Sequence, residues 1–368
     1  MPKAMPIRLA EPRGGPGAPT LDPPLDDAAW VQDTLVALGI VQSTQLVHDE
    51  VFVIDATRRN RNWIVNINRR PVAVVCSRTH ATADAFRAEV DLHGQLASSD
   101  HLAQHVPPLL ASDAEQRLLA FTHVGSAIDG WALHAQEMEP PLRFATQFGA
   151  LLAAVHSNSE SFSGVLGAAT PWVLSIHRPP LEMTRSLSTA SFELLRQIQS
   201  DLTLCHALDM AADSWRSTSL IHGDVTWANV LVTGNCSELH LVDWELAQRG
   251  DPLWDVAGML GAYLVFWVHA RRSPPAPGHS LAGLRLAAGL AWQRYCALVR
   301  PDVLQDATVE KLAALVAARM LRSAYETTQA LDRFSQHAVH LLFLASRLAE
   351  DPHGAAHDLM NVEASDLR

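Results

Sequence analysis

Hydrophobic and polar positions change their period partway along the chain. Between residues 45 and 76 the segments QLVHDEVFVID, NWIVNI and PVAVVC are rich in Val and Ile and are separated by polar turns. That pattern predicts an antiparallel meander of three strands, with residues 68–71, Asn-Arg-Arg-Pro, turning the chain into the third. From Ala81 to Leu96 the period lengthens. Phe86, Val90 and Leu92 or His93 fall on one helical face, with Glu89 beside them. After Pro107-Pro108 two more short strands, LLASD and RLLAFTHV, are expected. Beyond Pro141 the pattern is helical: Phe144, Phe148, Leu151, Leu152 and Val155 make one apolar face, and Thr170-Pro171-Trp172 interrupts it.

Residues 188–216 read as one or two further helices. The apolar run Val256–Val268 is too short for a membrane span and predicts a buried core helix. Three amphipathic helices follow, over roughly 280–298, 305–330 and 333–349. Before all of this, residues 1–26 are rich in Pro and Gly and predict a disordered tail. Asp26 or Asp27 would cap a short helix, Ala28–Leu38, stopped by Gly39. The expected organisation is α+β: a tail (1–26), a small lobe of antiparallel sheet plus one helix (27–124), a large mainly helical lobe (125–350) and a frayed C-terminal tail (351–368). Thr122-His123-Val124 would be the hinge, placing Thr122 and Val124 beside a bound nucleotide.

Composition sharpens this picture. The chain has 368 residues, enough for two cores, with 48% hydrophobic and 18% charged residues. A formal charge of -11 argues against nucleic acid or an anionic membrane as partner. The four cysteines are scattered without a CxxC, which excludes a zinc ribbon and suits a reducing cytoplasm. The 18 histidines include no HExxH, and no secretory h-region is visible.

The chemistry concentrates between Ser219 and Asp255, SLIHGDVTWANVLVTGNCSELHLVDWELAQRGDPLWD. Asp224 follows a strand and a glycine at the top of a tight loop, where a carboxylate can contact a substrate hydroxyl at about 3 Å and take its proton. Asn229, five residues on, offers a neutral oxygen to a hard cation. Asp243, at the end of the next strand, offers a charged one. Asp, Asn and Asp in this arrangement suit phosphoryl transfer from Mg2+-bound ATP to a hydroxyl, where catalysis is mostly positioning. Glu245 is a further candidate ligand or outer partner. His222 is expected to brace the loop, and Asp255 to cap the apolar helix and hold the loop.

HGDVTWAN followed by VDWE and DPLWD resembles the aminoglycoside phosphotransferase and choline kinase family over roughly residues 40–350. The resemblance implies a bilobal protein-kinase-like fold, ATP and magnesium as cofactors, and phosphorylation of hydroxyl groups. It implies that Asp224 is the catalytic base, that Asn229 and Asp243 hold magnesium, and that Glu89 pairs with a strand lysine. The RRNRNW loop, Pro171-Trp172 and LIHGDVTWANVLV are also similar to kinase-like proteins of lanthipeptide and thioamitide biosynthesis. There a kinase phosphorylates Ser or Thr of a precursor peptide and a separate lyase eliminates the phosphate.

The sequence departs from the family at one position. It contains two lysines, Lys3 and Lys311, against 26 arginines. Cys76 occupies the expected lysine position. Arg78 projects from the same strand face and is a candidate to bridge Glu89 and the nucleotide phosphates. Arg58 and Arg61, in the RRNRN loop, are further candidates for phosphate contact. Three readings stay open at this point. The protein phosphorylates a peptide, it phosphorylates a small molecule such as an aminoglycoside, or it is a pseudokinase that serves as a peptide-binding or scaffold subunit of a synthetase complex.

Overall fold

The computed structural model describes residues 8–9, 28–57, 61–78, 81–137, 139–159, 162, 167–185, 187–270 and 280–367. They fall into two compact units, Met1–Ala127 and Ile128–Arg368.

The first unit runs β1 (Arg8–Leu9), α1 (Ala28–Ala37), α2 (Gln45–His48), β2 (Val51–Asp55), β3 (Asn62–Ile67), β4 (Arg70–Ser77), α3 (Ala83–Ala97), β5 (Leu109–Asp113) and β6 (Leu118–Thr122). Its six strands lie in the order β1-β2-β3-β4-β6-β5. All neighbours are antiparallel except β1 and β2, which are parallel. Strand alternation divides the side chains between two faces. Val51, Val53, Trp63, Val65, Ala73, Val75, Leu118 and Ala120 bury one face together with Val31 and Leu35 of α1. Trp30 of α1 meets Trp63 edge-on at 5.6 Å. Phe121, one residue beyond Ala120, belongs to the other face, where His93 of α3 lies 4.7 Å from its ring. Cys76 and Arg78 follow the same alternation after Val75, so β4 delivers Arg78 to the α3 side. Thr82 caps α3 by accepting from the Ala85 N–H, a contact worth about 1 kcal/mol.

The second unit runs β7 (Ile128–Asp129), α4 (Gly130–Gln136), α5 (Leu142–Ser157), α6 (Leu181–Thr184), α7 (Thr189–Ser200), α8 (Leu202–Asp213), β8 (Ser219–Ile221), β9 (Val230–Thr233) and β10 (Glu238–Leu241). It continues with β11 (Gln248–Gly250), α9 (Pro252–Ala270), α10 (Leu281–Leu298), α11 (Val309–Thr328), α12 (Gln336–Glu350) and α13 (Pro352–Met360). Two small sheets, β10-β9-β7 and β11-β8, carry the polar clusters of the Ser219–Asp255 stretch. α9 packs against α10, α11 and α5. By length and composition it could cross a membrane, but 72% of its apolar window is buried inside the fold. It is a core helix.

Four expectations are corrected. Residues 45–48 open the predicted first strand but form α2, because Thr44 and Gln45 close helical turns with His48 and Asp49; the strand starts at Val51. Within the stretch expected to be a disordered tail, Arg8 and Leu9 add a strand to the β2 edge; the rest of that stretch, with Asp26 and Asp27, lies outside the described residues. The second unit begins at Ile128 rather than residue 125, because Ile128 and Asp129 pair with Val232 and Leu231 of β9. The C-terminal stretch is not frayed. Asp351 caps α13, which buries Ala355, Ala356 and Met360, so the predicted tail completes the helical core.

Candidate functional site

β8 ends at Ile221, held in register by Gln248 of β11, and releases the chain into His222-Gly223-Asp224. Gly223 has φ +82, and a Cβ there would lie 2.3 Å from the Leu246 carbonyl oxygen, so this turn requires glycine. The turn is gripped from below by Asp255. Its fully buried carboxylate accepts from the His222 N–H at 2.7 Å and the Gly223 N–H at 3.0 Å. His156 Nε2 lies 3.4 Å from the same carboxylate, and His156 Nδ1 lies 2.8 Å from the buried Tyr295 hydroxyl. Burial pushes the Tyr295 pKa well up, with the nearby Cys296, Asp255 and Asp251 adding to the effect. The Trp254 indole donates to the Gly223 carbonyl at 2.8 Å. Asp255 therefore holds the loop, as expected, but it does not cap α9. That task falls to Asp251, whose side chain accepts from the Leu253 N–H at 3.0 Å.

His222 braces the loop through both ring nitrogens. Its Nδ1 accepts from the Asp224 N–H at 3.2 Å, and its Nε2 donates to the Val242 carbonyl at 2.9 Å. Asn229 closes the same loop, its Nδ2 donating to the Asp224 carbonyl at 2.9 Å. The amide nitrogen is thereby used, and the Asn229 side-chain oxygen is the atom suited to a cation. The Val242 N–H donates to the Asn229 carbonyl at 3.0 Å, extending the β9–β10 ladder and setting Asp243 beside Asn229. Asp243 adopts a left-handed conformation, φ 67 and ψ 59, uncommon outside glycine. One backbone hydrogen bond, Val242 to Asn229, and two from side chains to backbone carbonyls, Asn229 to Asp224 and His222 to Val242, thus tie together the segments that carry Asp224, Asn229 and Asp243. Among the described residues no group of three His, Cys, Asp or Glu side chains is placed to hold a metal. An Asn and Asp pair of oxygens fits a hard cation that takes its remaining ligands from phosphate and water. Glu245 is partly buried two residues beyond Asp243.

In the first unit the structure brings Arg78 and Glu89 together. Arg78 Nε lies 3.1 Å from each Glu89 carboxylate oxygen, and Nη2 lies 3.0 Å from Oε1. Both side chains are buried, 4% and 5% exposed. The Arg61 carbonyl accepts from the Ser77 N–H at 2.9 Å, placing its backbone beside this end of β4. Arg58 lies outside the described residues. Thr122 pairs with Ala73, at the other end of β4 about 17 Å from Arg78 by strand rise. Thr122 and Val124 are both partly exposed.

The model of the phosphotransferase enzyme family, APH, matches residues 51–298. The chain belongs to that family. Its enzyme class is phosphotransferase to a hydroxyl group, and its fold, an antiparallel sheet unit followed by a mainly helical one, is the kinase-like fold of the solved structures it matches. A choline/ethanolamine kinase family protein from Mesorhizobium loti has a TM-score of 0.54 at 14% identity, over 92% of this chain and 99% of that one. A choline kinase from Streptococcus pneumoniae has a TM-score of 0.51 at 14% identity, over 87% of this chain and 98% of that one. An aminoglycoside phosphotransferase in ternary complex with ADP and hygromycin B has a TM-score of 0.52 at 14% identity, over 87% and 96%. At these identities the likeness is one of fold. No curated protein sequence matches the chain.

Two residues absent from the sequence reading reach the phosphotransferase's loop. Arg322 Nη1 lies 2.9 Å from Asp224 Oδ1, and Arg319 Nη2 lies 3.6 Å from it. Both come from α11, where Lys311 also pairs with Asp251. The signal was present as cations at 311, 319 and 322 in an otherwise apolar KLAALVAARMLR run, a spacing that puts them on one helical stripe. Burial pushes the Arg319 pKa down to about 10, the Arg322 charge adds to the fall, and Asp224 opposes it. Burial also opposes the Arg322 charge, but Asp224 and Glu326 outweigh it and raise that pKa. Gly258 of α9 lets this assembly close up, since a Cβ there would lie 2.4 Å from the Val225 carbonyl oxygen and 3.2 Å from Arg319 Nη2.

Proposed function

We propose that this phosphotransferase moves the γ-phosphoryl group of ATP to a hydroxyl. In this reading Asp224 orients the acceptor O–H and takes its proton as the new O–P bond forms, while the bond from the γ-phosphorus to the ADP oxygen breaks. Asn229 and Asp243 would hold Mg2+, which supplies charge neutralisation on the phosphates. The observation that carries the reading is the hairpin that ties Asn229 to both Asp224 and the segment bearing Asp243. Arg78, paired with Glu89, takes the role of the absent strand lysine toward the phosphates, and Arg58 and Arg61 add cations on that side. Thr122 and Val124 would line the nucleotide base. Four cysteines scattered along the sequence without a CxxC fit a reducing cytoplasm as the place of action.

For the acceptor, Arg322 favours a hydroxyl without ammonium groups around it. With Arg319 and Arg322 balanced against Asp224 and Glu326, the point of transfer offers no net negative charge to hold the amino groups of a polycationic aminoglycoside. Ser or Thr of a ribosomal precursor peptide meets that condition, and a lyase that eliminates phosphate would then be the partner. Incubation with Mg-ATP and either a Ser/Thr-rich peptide or kanamycin, read by mass spectrometry, separates the acceptors. The expected result is a phosphate adduct on the peptide that is lost in Asp224→Asn. Modification of kanamycin alone would overturn the peptide acceptor. A pseudokinase would produce neither adduct, and the absence of any thermal shift with millimolar Mg-ATP would exclude ATP as the donor.

A further inference from the structure

The Asp224 carboxylate sits against two buried guanidiniums on a helix far away in sequence. Each guanidinium has anchors of its own. Arg319 lies over the Trp254 ring, 4.9 Å from its centroid, and donates to the Val225 carbonyl. Arg322 Nε holds Glu326 at 3.0 Å, one turn on along the same helix. The side chains of Arg319 and Arg322 are 6% and 10% exposed. Eight residues before Arg319, Lys311 on the same stripe pairs with Asp251, the cap of α9, and donates to the Ser214 carbonyl at 2.7 Å.

Burying two like charges side by side is unfavourable unless their partners repay the lost hydration. Burial and the neighbouring Arg322 charge depress the Arg319 pKa, in keeping with that cost. A packed helix could fill the same volume with apolar side chains at no such penalty. The two arginines therefore do something that packing does not require. Because they are fixed from α11 and α9, they set the position and rotation of the carboxylate they meet. The loop's own hydrogen bonds through the Asp224 N–H and carbonyl hold its backbone.

We infer that Arg319 and Arg322 are positioning residues that aim the Asp224 carboxylate at the acceptor hydroxyl; the inference rests on the role proposed above for Asp224. Arg322 is the directing member because its guanidinium is in hydrogen-bond range, and Arg319 supports it from behind. Orientation of one reacting group contributes strongly to rate when the transition state is loose.

The test uses water as the acceptor, so no substrate need be known: ADP release from Mg-ATP is measured for wild type, Asp224→Asn, Arg322→Ala and Arg322→Gln. Arg322→Ala should lower kcat by about 10- to 100-fold, the range expected of a misplaced catalytic group, with KM for ATP and the Mg-ATP thermal shift unchanged. Added methylguanidine should restore part of the activity of Arg322→Ala and none of that of Asp224→Asn. Should Arg322→Ala lose its thermal transition, Arg322→Gln decides, because it keeps an N–H donor and most of the packing. A folded glutamine variant with reduced kcat and wild-type KM supports the assignment. Wild-type kcat in either folded variant overturns it. A wild-type enzyme whose ADP release is indifferent to Asp224→Asn sinks the role of Asp224 itself, and the positioning assignment with it.

Discussion

The Arg78 guanidinium meets Glu89 with Nε 3.1 Å from both carboxylate oxygens and Nη2 3.0 Å from one of them, in a buried pair that joins β4 to α3. A fork of this kind is a geometry that lysine cannot reproduce.

Removing one partner of a buried pair leaves the other charge uncompensated. Arg78→Ala should destabilise the protein by about 3–5 kcal/mol. The double change Arg78→Met with Glu89→Leu should recover most of that loss while leaving nucleotide binding weakened. Urea denaturation followed by a Mg-ATP thermal shift checks both parts, and a double variant that binds ATP like wild type would remove Arg78 from the nucleotide site.

Asp255 accepts two backbone N–H groups from the His222–Gly223 turn, and an amide in its place presents one NH2 group to a donor. Asp255→Asn should therefore cost about 3 kcal/mol from lost charge-assisted bonds and loosen the His222–Asp224 turn. Activity should fall together with the denaturation midpoint. Unchanged kcat at a lowered midpoint would confine Asp255 to stability.

Gly258→Ala places a methyl group against the Val225 carbonyl. The backbone cannot yield as a flexible side chain would, so α9 and the loop must separate, at about 1–3 kcal/mol. Ala257→Gly, one residue earlier and without that contact, is the control for helix propensity. Equal activity loss in the two variants would refute the close-approach explanation.

The Arg319 pKa, pushed down by burial to about 10, has a stability consequence of definite sign. The unfolded chain holds that proton more tightly than the folded one. The penalty is present in full below about pH 10 and fades as pH rises above it toward the ordinary guanidinium range, so folding gains relative stability across that window. Wild type compared with Arg319→Met should gain in relative denaturation midpoint between pH 10 and 12. A constant difference would show that Arg319 titrates normally.

Local periodicity made much of this molecule readable. The alternation in NWIVNI marks β3 residue for residue, and Phe144, Phe148, Leu151, Leu152 and Val155 mark the buried face of α5. The spacing of Asp224, Asn229 and Asp243 was equally visible, because a hairpin brings residues about 20 apart in sequence together by local pairing alone. Arg78 could be put on the face of Glu89 because a strand returns to the same side every second residue.

Arg319 and Arg322 show where that legibility stops. They reach Asp224 across some 95 residues of chain, and nothing local says which cation in an apolar helix will meet which carboxylate. That contact exists only once α11 packs against α9, and Gly258 permits the approach. The fate of residues 351–368 has the same cause, since short alanine-rich segments become helix when a groove is there to bury Ala355, Ala356 and Met360. The sequence by itself determined most of the elements, the spacing of Asp224, Asn229 and Asp243, and the strand face that carries Arg78, because each follows from short-range periodicity or turn chemistry. Only the tertiary structure decided which charges surround Asp224, because burial and long-range packing select those partners.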